Sequence, residues 1–403
     1  GGGKFLRRLI LLCLLLAVLI GFLPAIIAST SLRNILANRA IPGGAATVSV
    51  GSASLGWFGD QTLTNVELRD AGGKALATIE SVRVDRSLIA IASNWHDLGT
   101  VEVLRPTIYL ELRPEGNNWD ALLQQFMPPA RGKGKGAKAA PTTAGFDIAL
   151  QIREGRVEAV ETASNQSWLV APLNVEFAMA NSDLSQLRMV VEGELQAKTK
   201  ADDPWGNSAP AGPAVRNQFA VRLEQSEGEN HRLEFKLAGF PLELAGPWLH
   251  AAWPTAEMAG LLAAEGTAQW PSSAPLSSLP PRLETQGRVE VRNFIGTLPA
   301  LQGDRIRLDR LELPWQLSLD DDALVVKQLE LRSEVMALVA RGKLDRRALD
   351  RPALAAAAGI AGVDVGATLD MARLGAMLPR TLRLRENTQI NSGTVELTAR
   401  TKS

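Results

Sequence analysis

The segment Pro106-Thr107-Ile108-Tyr109-Leu110-Glu111-Leu112 decides the fold class of this chain. Ile108, Leu110 and Leu112 are two residues apart, so in an extended strand their side chains share one face. The same alternation recurs in residues 189–197, 219–224, 232–237 and 394–400. Strands with one apolar and one polar face are typical of an antiparallel sheet that is solvated on one side. The sequence therefore predicts a mainly β protein.

Similar units recur along the chain. The pattern Gly-x-Val-Glu occurs at Gly155, Gly287 and Gly393, and we interpret each as a turn glycine that opens a strand. A longer unit, with a helix-compatible segment and a Pro before a glycine and a strand, occurs in 242–268 and again in 369–397. We expect an elongated, curved, trough-like antiparallel sheet built from such repeats. The predicted helices are few and short: 34–38, 119–126, 244–252, 353–358 and 371–377.

The amino terminus carries an uncharged apolar run over residues 9–28. In a helix such a run spans the hydrocarbon core of a bilayer, which is about 30 Å thick. Lys4, Arg7 and Arg8 precede it, and this bias places the amino terminus in the cytoplasm. A cleaved signal peptide is the alternative, but its apolar region is usually shorter. The residues taken to represent the anchor are Leu9, Leu16, Ile20 and Ile27.

The composition argues against several functional classes. Lys and Arg together number 43, as do Asp and Glu, so the net charge of zero disfavours nucleic-acid binding. One cysteine and three histidines are too few for a disulfide framework or a thiolate or histidine metal site. No phosphate-binding loop or nucleophile elbow occurs, and Asp320-Asp321-Asp322 is interpreted as a hairpin turn. We therefore expect neither an enzyme nor a cofactor.

The apolar strand faces need a cover, because a large exposed apolar surface promotes aggregation. Two solutions remain open at this point. The sheet either packs on itself as a closed sandwich, which suits a scaffolding protein without lipid, or forms a groove lined by lipid chains. Aromatic residues make up only 5% of the chain, which favours the groove. The predicted lining residues are Ile108, Leu110, Leu112, Val289, Val291, Val395 and Leu397.

Residues 82–123 resemble the amino-terminal region of AsmA-like proteins. The resemblance rests on Val82-Arg83-Val84-Asp85, Arg105-Pro106-Thr107-Ile108-Tyr109-Leu110 and Glu115-Gly116-Asn117-Asn118-Trp119-Asp120, which follow a membrane helix in that order. It implies a bacterial inner-membrane anchor that carries a periplasmic β trough. The wider group, which includes TamB-like proteins, is associated with phospholipid movement between membranes, so the implied partners are phospholipid acyl chains and proteins of outer-membrane or envelope assembly.

These inferences together predict four regions. Residues 1–30 form a cytoplasmic tip and the transmembrane anchor, and residues 31–127 form an AsmA-like β region. Residues 128–144 are basic and rich in glycine, as expected of a flexible linker, and residues 145–403 form the repeated trough, which we expect to continue beyond this chain. The expected location is the bacterial inner membrane, crossed once, with most of the chain in the periplasm.

Overall fold

A computed structural model describes residues 21–39, 41, 44–94, 96–113, 116–126, 147–162, 166–180, 183–198, 217–226, 230–245, 256–272, 280–346, 363–385 and 387–400. The chain is mainly β, as predicted, and forms two compact units, residues 1–183 and 184–403. Among the described residues, no helix combines the length and the apolar character that crossing a membrane requires. The predicted anchor residues Leu9, Leu16 and Ile20, the linker 128–144 and the helix 353–358 lie outside the described residues.

The first unit is a sheet with short helices along it. Its strands pair in the order β1-β2-β3-β4-β6-β7, and the short β5 pairs with the end of β4. Its elements are α1 (residues 21–29), α2 (Leu32–Arg39), β1 (Ala46–Ser54), β2 (Gln61–Asp70), β3 (Ala75–Val84), α3 (Leu88–Ser93), β4 (Asp97–Arg113), β5 (Gly116–Asn117), α4 (Asp120–Phe126), β6 (Asp147–Glu161) and β7 (Gln166–Ala180).

One pairing differs from the predicted antiparallel sheet. Strands β4 and β6 are parallel, from Asp97 beside Asp147 to Leu112 beside Glu161. Parallel neighbours need a long crossover, and residues 114–146 between the two strands supply it. The expectation of a wholly antiparallel sheet was therefore wrong at this place, because alternation within a strand does not encode the direction of its neighbour.

A line of left-handed residues crosses the first unit. Asn65 in β2, Arg105 in β4 and Glu154 in β6 have φ angles of 53°, 46° and 54°. Arg105 is flanked by two carboxylates, with Nη1 2.9 Å from Glu80 Oε2 and Nε 3.0 Å from Glu154 Oε2. The pairings of β1 to β6 keep the same register on both sides of these residues, so the three residues form one transverse left-handed line and not bulges that add a residue to one strand alone.

The sequence changes phase at this line. In β4 the apolar residues Val101 and Val103 are odd-numbered before Arg105, whereas Pro106 and Ile108 are even-numbered after it. A shift of one residue exchanges the two faces of a regular strand, so the irregular backbone at the left-handed line allows the apolar residues of both halves to lie on one face.

Helix α2 closes the free edge of β1. The side-chain oxygens of Asn34 and Asn38 accept hydrogen bonds from the Val50 and Val48 amides, both at 2.8 Å. The Asn38 amide donates to Val48 O at 2.7 Å, and Arg33 Nε donates to Val50 O at 2.9 Å. These side chains satisfy the backbone groups that a further strand would otherwise pair, so β1 is a protected edge.

The second unit contains the strands β8 to β17, which pair in chain order and are antiparallel throughout. Its strands are β8 (Asp183–Lys198), β9 (Asn217–Ser226), β10 (Asn230–Pro241), β11 (Glu257–Pro271), β12 (Leu283–Thr297), β13 (Ile306–Leu319), β14 (Ala323–Ser333), β15 (Met336–Asp345), β16 (Val363–Asp370) and β17 (Thr394–Arg400). Helix α5 (Met371–Met377) joins the last two strands, and short 3-10 turns occupy Leu242–Ala245 and Pro299–Leu301.

Several local predictions are confirmed and one set is partly wrong. Helices lie at the predicted positions 34–38, 119–126 and 371–377, and the three aspartates after β13 form a hairpin turn in which Asp320 Oδ1 accepts from the Ala323 amide at 2.7 Å. Gly393 directly precedes β17, as expected. Gly155 and Gly287, however, lie inside β6 and β12 and not in turns. Glycine is needed there because a Cβ atom would lie too close to atoms of a neighbouring strand.

Candidate functional site

One face of the second unit is apolar across all ten strands. The cross-strand register aligns a central row of residues that are directly opposite one another on successive strands. From β8 to β17 the row is Val191, Val221, Phe235, Gly266, Gly287, Trp315, Leu329, Ala340, Val365 and Ala399. Since opposite residues share a face, the row forms an unbroken apolar band perpendicular to the strands.

A second apolar row, two residues along each strand, runs beside the central row. Strands β9 to β13 contribute Phe219, Leu237, Ala264, Val289 and Leu313, and strands β14 to β17 contribute Leu331, Leu338, Ala367 and Leu397. The structure thus places two of the predicted residues, Val289 and Leu397, in the same row. Val291 follows on β12 and Val395 on β17, on the same face.

The second row is only half-buried. Ala264 is the one buried member, at 7% exposure, and Leu397 at the end of the row is 55% exposed. The inner face of a closed β-sandwich packs against a second sheet, which would bury such a row. Within the described residues, no element provides that cover for the row.

Two glycines make room for aromatic rings at the centre of this face. Phe235 and Trp315 project from strands that are separated by β11 and β12, and their rings stack with centroids 6.4 Å apart. A Cβ atom on Gly266 would lie 2.9 Å from the Phe235 ring, and one on Gly287 would lie 2.5 Å from the Trp315 ring. The rings therefore lie flat over the backbone of the two intervening strands and form a shallow apolar floor.

The first unit has its own apolar rows. Val48, Leu68, Ala77, Ile108, Val157 and Val170 are directly opposite one another from β1 to β7. On the other side of the left-handed line lies the row Ala53, Leu63, Val82, Val103, Ile152 and Val175. Of the three residues predicted in β4, Ile108 belongs to the first row and Leu110 faces Ala159. Leu112 lies beside Asn117 and Glu161, so it ends the apolar surface instead of extending it.

The residues of the AsmA-like pattern tie α4 to β4. Asn118 Oδ1 accepts from the Glu111 amide at 2.9 Å, and the Trp119 indole donates to Tyr109 O at 3.0 Å. Leu122 of α4 then packs with Ala46 and Leu76 in a small buried core. The role of this motif is structural, since it covers one end of the apolar face.

The opposite face of the second unit is charged. Glu290 is only 6% exposed and accepts hydrogen bonds from Arg292 Nε at 2.5 Å and Arg310 Nη2 at 3.3 Å. The hydrogen bond from Arg292 lowers the pKa of Glu290, against the opposing effect of burial. Glu330 pairs in the same way with Arg332 and Arg341. This face is solvated and ion-paired, so the sheet separates a polar side from an apolar side.

A groove of about 670 Å³ crosses strands β8 to β14. On several strands its lining includes the residues immediately before and after the central-row residue. The side chains of these flanking residues point to the face opposite the aromatic rings. The charged lining residues are Glu192, Arg222, Glu234, Lys236, Glu265 and Arg288. Cations and carboxylates balance, so the groove has no net preference for an anion or a cation.

No protein-family model matches this chain, and a search of curated proteins finds no significant match. The functional argument therefore rests on the two apolar faces and on the sequence. Sequence reasoning predicted Val289 and Leu397, which share a row, but did not select Phe235, Trp315, Gly266 and Gly287, whose proximity depends on pairing between strands.

Proposed function

We propose that this chain is a membrane-anchored carrier of phospholipid acyl chains in a bacterial envelope. Residues 9–28 anchor it in the inner membrane, and the β units lie in the periplasm. The carrying surface is the apolar face of each unit. It works collectively, since an acyl chain contacts many side chains at once and each shielded CH2 contributes about 0.8 kcal/mol.

One observation carries the proposal: an apolar face continues over ten strands while most side chains of its second row stay partly exposed. An extended acyl chain along a row would meet one side chain per strand, at a spacing of about 4.8 Å. The resemblance of residues 82–123 to AsmA-like proteins supports the same function and adds envelope-assembly proteins as proposed partners. The charged face keeps such a carrier soluble in water while its cargo occupies the apolar face.

Neighbouring residues on opposite faces give a sharp test. A photo-crosslinking amino acid is placed at Val289 or at Arg288, and in a second pair at Leu397 or at Thr398, in the full chain produced in bacterial cells. After illumination and purification, mass spectrometry detects phospholipid adducts. We expect adducts at Val289 and Leu397 and none at Arg288 and Thr398, because the side chains alternate between faces.

The outcome separates the two functions considered from the sequence. Adducts at all four positions would indicate nonspecific contact with lipid and contradict the proposal. Lipid-free protein without adducts at any position would also contradict it, and would favour a scaffolding protein whose apolar face is covered by protein.

A further inference from the structure

An exposed apolar cluster lies at one end of the first unit. The turn between β1 and β2 exposes 88% of Phe58, and α1 beside it exposes 63% of Phe22. Ile89 in α3 is also exposed. Isolated exposed apolar residues are common on protein surfaces, but several on adjoining elements mark an interaction site.

Hydrogen bonds join these elements into one structure. The Trp57 indole Nε1 donates to Gly21 O in α1 at 3.1 Å. The Ile89 amide donates to Trp57 O at 3.3 Å, which connects α3 to the same turn. These elements also lie at the same end of the sheet, where β1 ends, β2 begins and β3 ends.

A buried glutamine fixes the turn that presents Phe58. The side chain of Gln61 is 6% exposed, accepts from the Gly56 amide at 2.9 Å and donates to Gly56 O at 2.9 Å. It also donates to Arg86 O at 3.2 Å, next to α3. A hydrogen-bonded framework therefore holds Phe58 outward. Exposing its apolar ring to water is unfavourable in free energy, so we expect a binding partner to cover it.

The contact with Gly21 gives the depth of this turn. Under the proposed function, the anchor leaves the hydrocarbon core near Ala28. Gly21 precedes that residue by seven positions, which corresponds to about 10 Å along a helix. The indole that reaches Gly21 O thus lies well below the membrane surface. We infer that the Trp57-Phe58 turn, together with α3, inserts into the bilayer beside the anchor.

The surrounding charges suit this placement. Asp60, at the start of β2, pairs with Arg83 at 2.6 Å, and Arg86 pairs with Asp97 at 3.1 Å. The carboxylate in the turn is therefore paired with a cation, and the long side chains of Arg83 and Arg86 can extend from this depth toward the phosphate headgroups.

Insertion would bring the apolar face to the membrane. The row from Ala53 through Val103 to Val175 is the one on the same side of the left-handed line as the turn. An acyl chain leaving the bilayer at the turn would meet this row first. The inference rests on the proposed anchor and adds the place where lipid enters.

Spin-label depth measurements test the insertion. The full chain, with Cys13→Ala, is reconstituted in vesicles of phosphatidylcholine and phosphatidylglycerol, and Phe58→Cys carries the label. Ala71→Cys in the turn after β2 is the control, roughly 30 Å away along that strand. We expect the label at position 58 to collide with oxygen more often, and with a water-soluble nickel complex several-fold less often, than the label at position 71.

Flotation of the same samples keeps the two proposals separate. Protein that does not float with the vesicles would overturn the anchor and the inference with it. Protein that floats but exposes positions 58 and 71 equally to the nickel complex would overturn the inference alone. A second variant, Trp57→Phe with the label at 58, removes the indole donor, and we expect it to raise the nickel collision rate toward that of position 71.

Discussion

Replacing Gly287 with alanine tests the central row directly. An added Cβ atom would lie 2.4 Å from Glu265 O and 2.5 Å from Cζ2 of Trp315. The carbonyl belongs to the neighbouring strand, so it moves only if the pairing of β11 and β12 changes. The Trp315 ring is able to move, but it would then leave its stack with Phe235.

The magnitude follows from these two contacts. Overpacking a well-packed site costs about 1–3 kcal/mol, and the lost aromatic pair adds about 0.5–1.5 kcal/mol. We expect Gly287→Ala to lower the free energy of unfolding by about 2–4 kcal/mol. Gly366→Ala is the matched control, since no atom lies within 4 Å of its added Cβ. That variant should be neutral or more stable by up to about 1 kcal/mol, because glycine is unfavourable inside a strand.

Urea unfolding followed by circular dichroism measures both variants, and the comparison uses the transition of the second unit if two are resolved. The double variant Gly287→Ala with Trp315→Leu should recover part of the loss, since it removes the ring contact and leaves the carbonyl contact. Equal stability of Gly287→Ala and Gly366→Ala would refute the register and the ring position.

Three further results are expected. Asn34→Ala should lower the free energy of unfolding by about 1–3 kcal/mol, because the buried Val50 amide loses its acceptor, and Asn34→Asp should restore most of it; thermal unfolding measures both. Arg292 lowers the pKa of Glu290 below its ordinary 4.5. The unaltered protein should therefore be more stable than Glu290→Gln above about pH 4.5, and this advantage should vanish as the pH falls through the lowered pKa. Equal urea midpoints of the two proteins at all pH values would contradict this. Leu110→Arg should reduce the phospholipid that co-purifies with the chain more than it lowers the melting temperature, and unchanged lipid by mass spectrometry would count against the proposed function.

The sequence was sufficient for the class of fold and for much of the local structure. Period-two alternation predicted strands because one face of each strand is apolar and the other is paired in charge, as at Val289 and Glu290. The short helix 371–377 was predictable from its local pattern, and Asp370 caps it by accepting from the Arg373 amide.

What the sequence left open is the relation between strands. Gly287 was interpreted as a turn residue from the Gly-x-Val-Glu pattern. Its partner Trp315 is distant along the chain, and only the register places the ring over it. The parallel pairing of β4 with β6 was not predicted for the same reason, since the alternation within one strand does not show the direction of its neighbour. The left-handed line did leave a signal in the sequence, namely the change from odd to even apolar positions between Val103 and Pro106. Comparing the odd and even positions along each strand would have found it.

The composition of the central row bears on how a carrier would work. Gly266, Gly287, Ala340 and Ala399 lie among larger residues along the row, so the apolar floor is shallow instead of forming one deep pocket. On the proposed function, an acyl chain would gain similar contacts at each strand, and no position would bind it much more tightly than the next. Such uniform, moderate binding allows a chain to move along a row, whereas a deep pocket would retain it. The same property explains why charge at any one lining residue should weaken lipid binding without abolishing it, and why the sites are better identified by alternating crosslinks than by single loss-of-function variants.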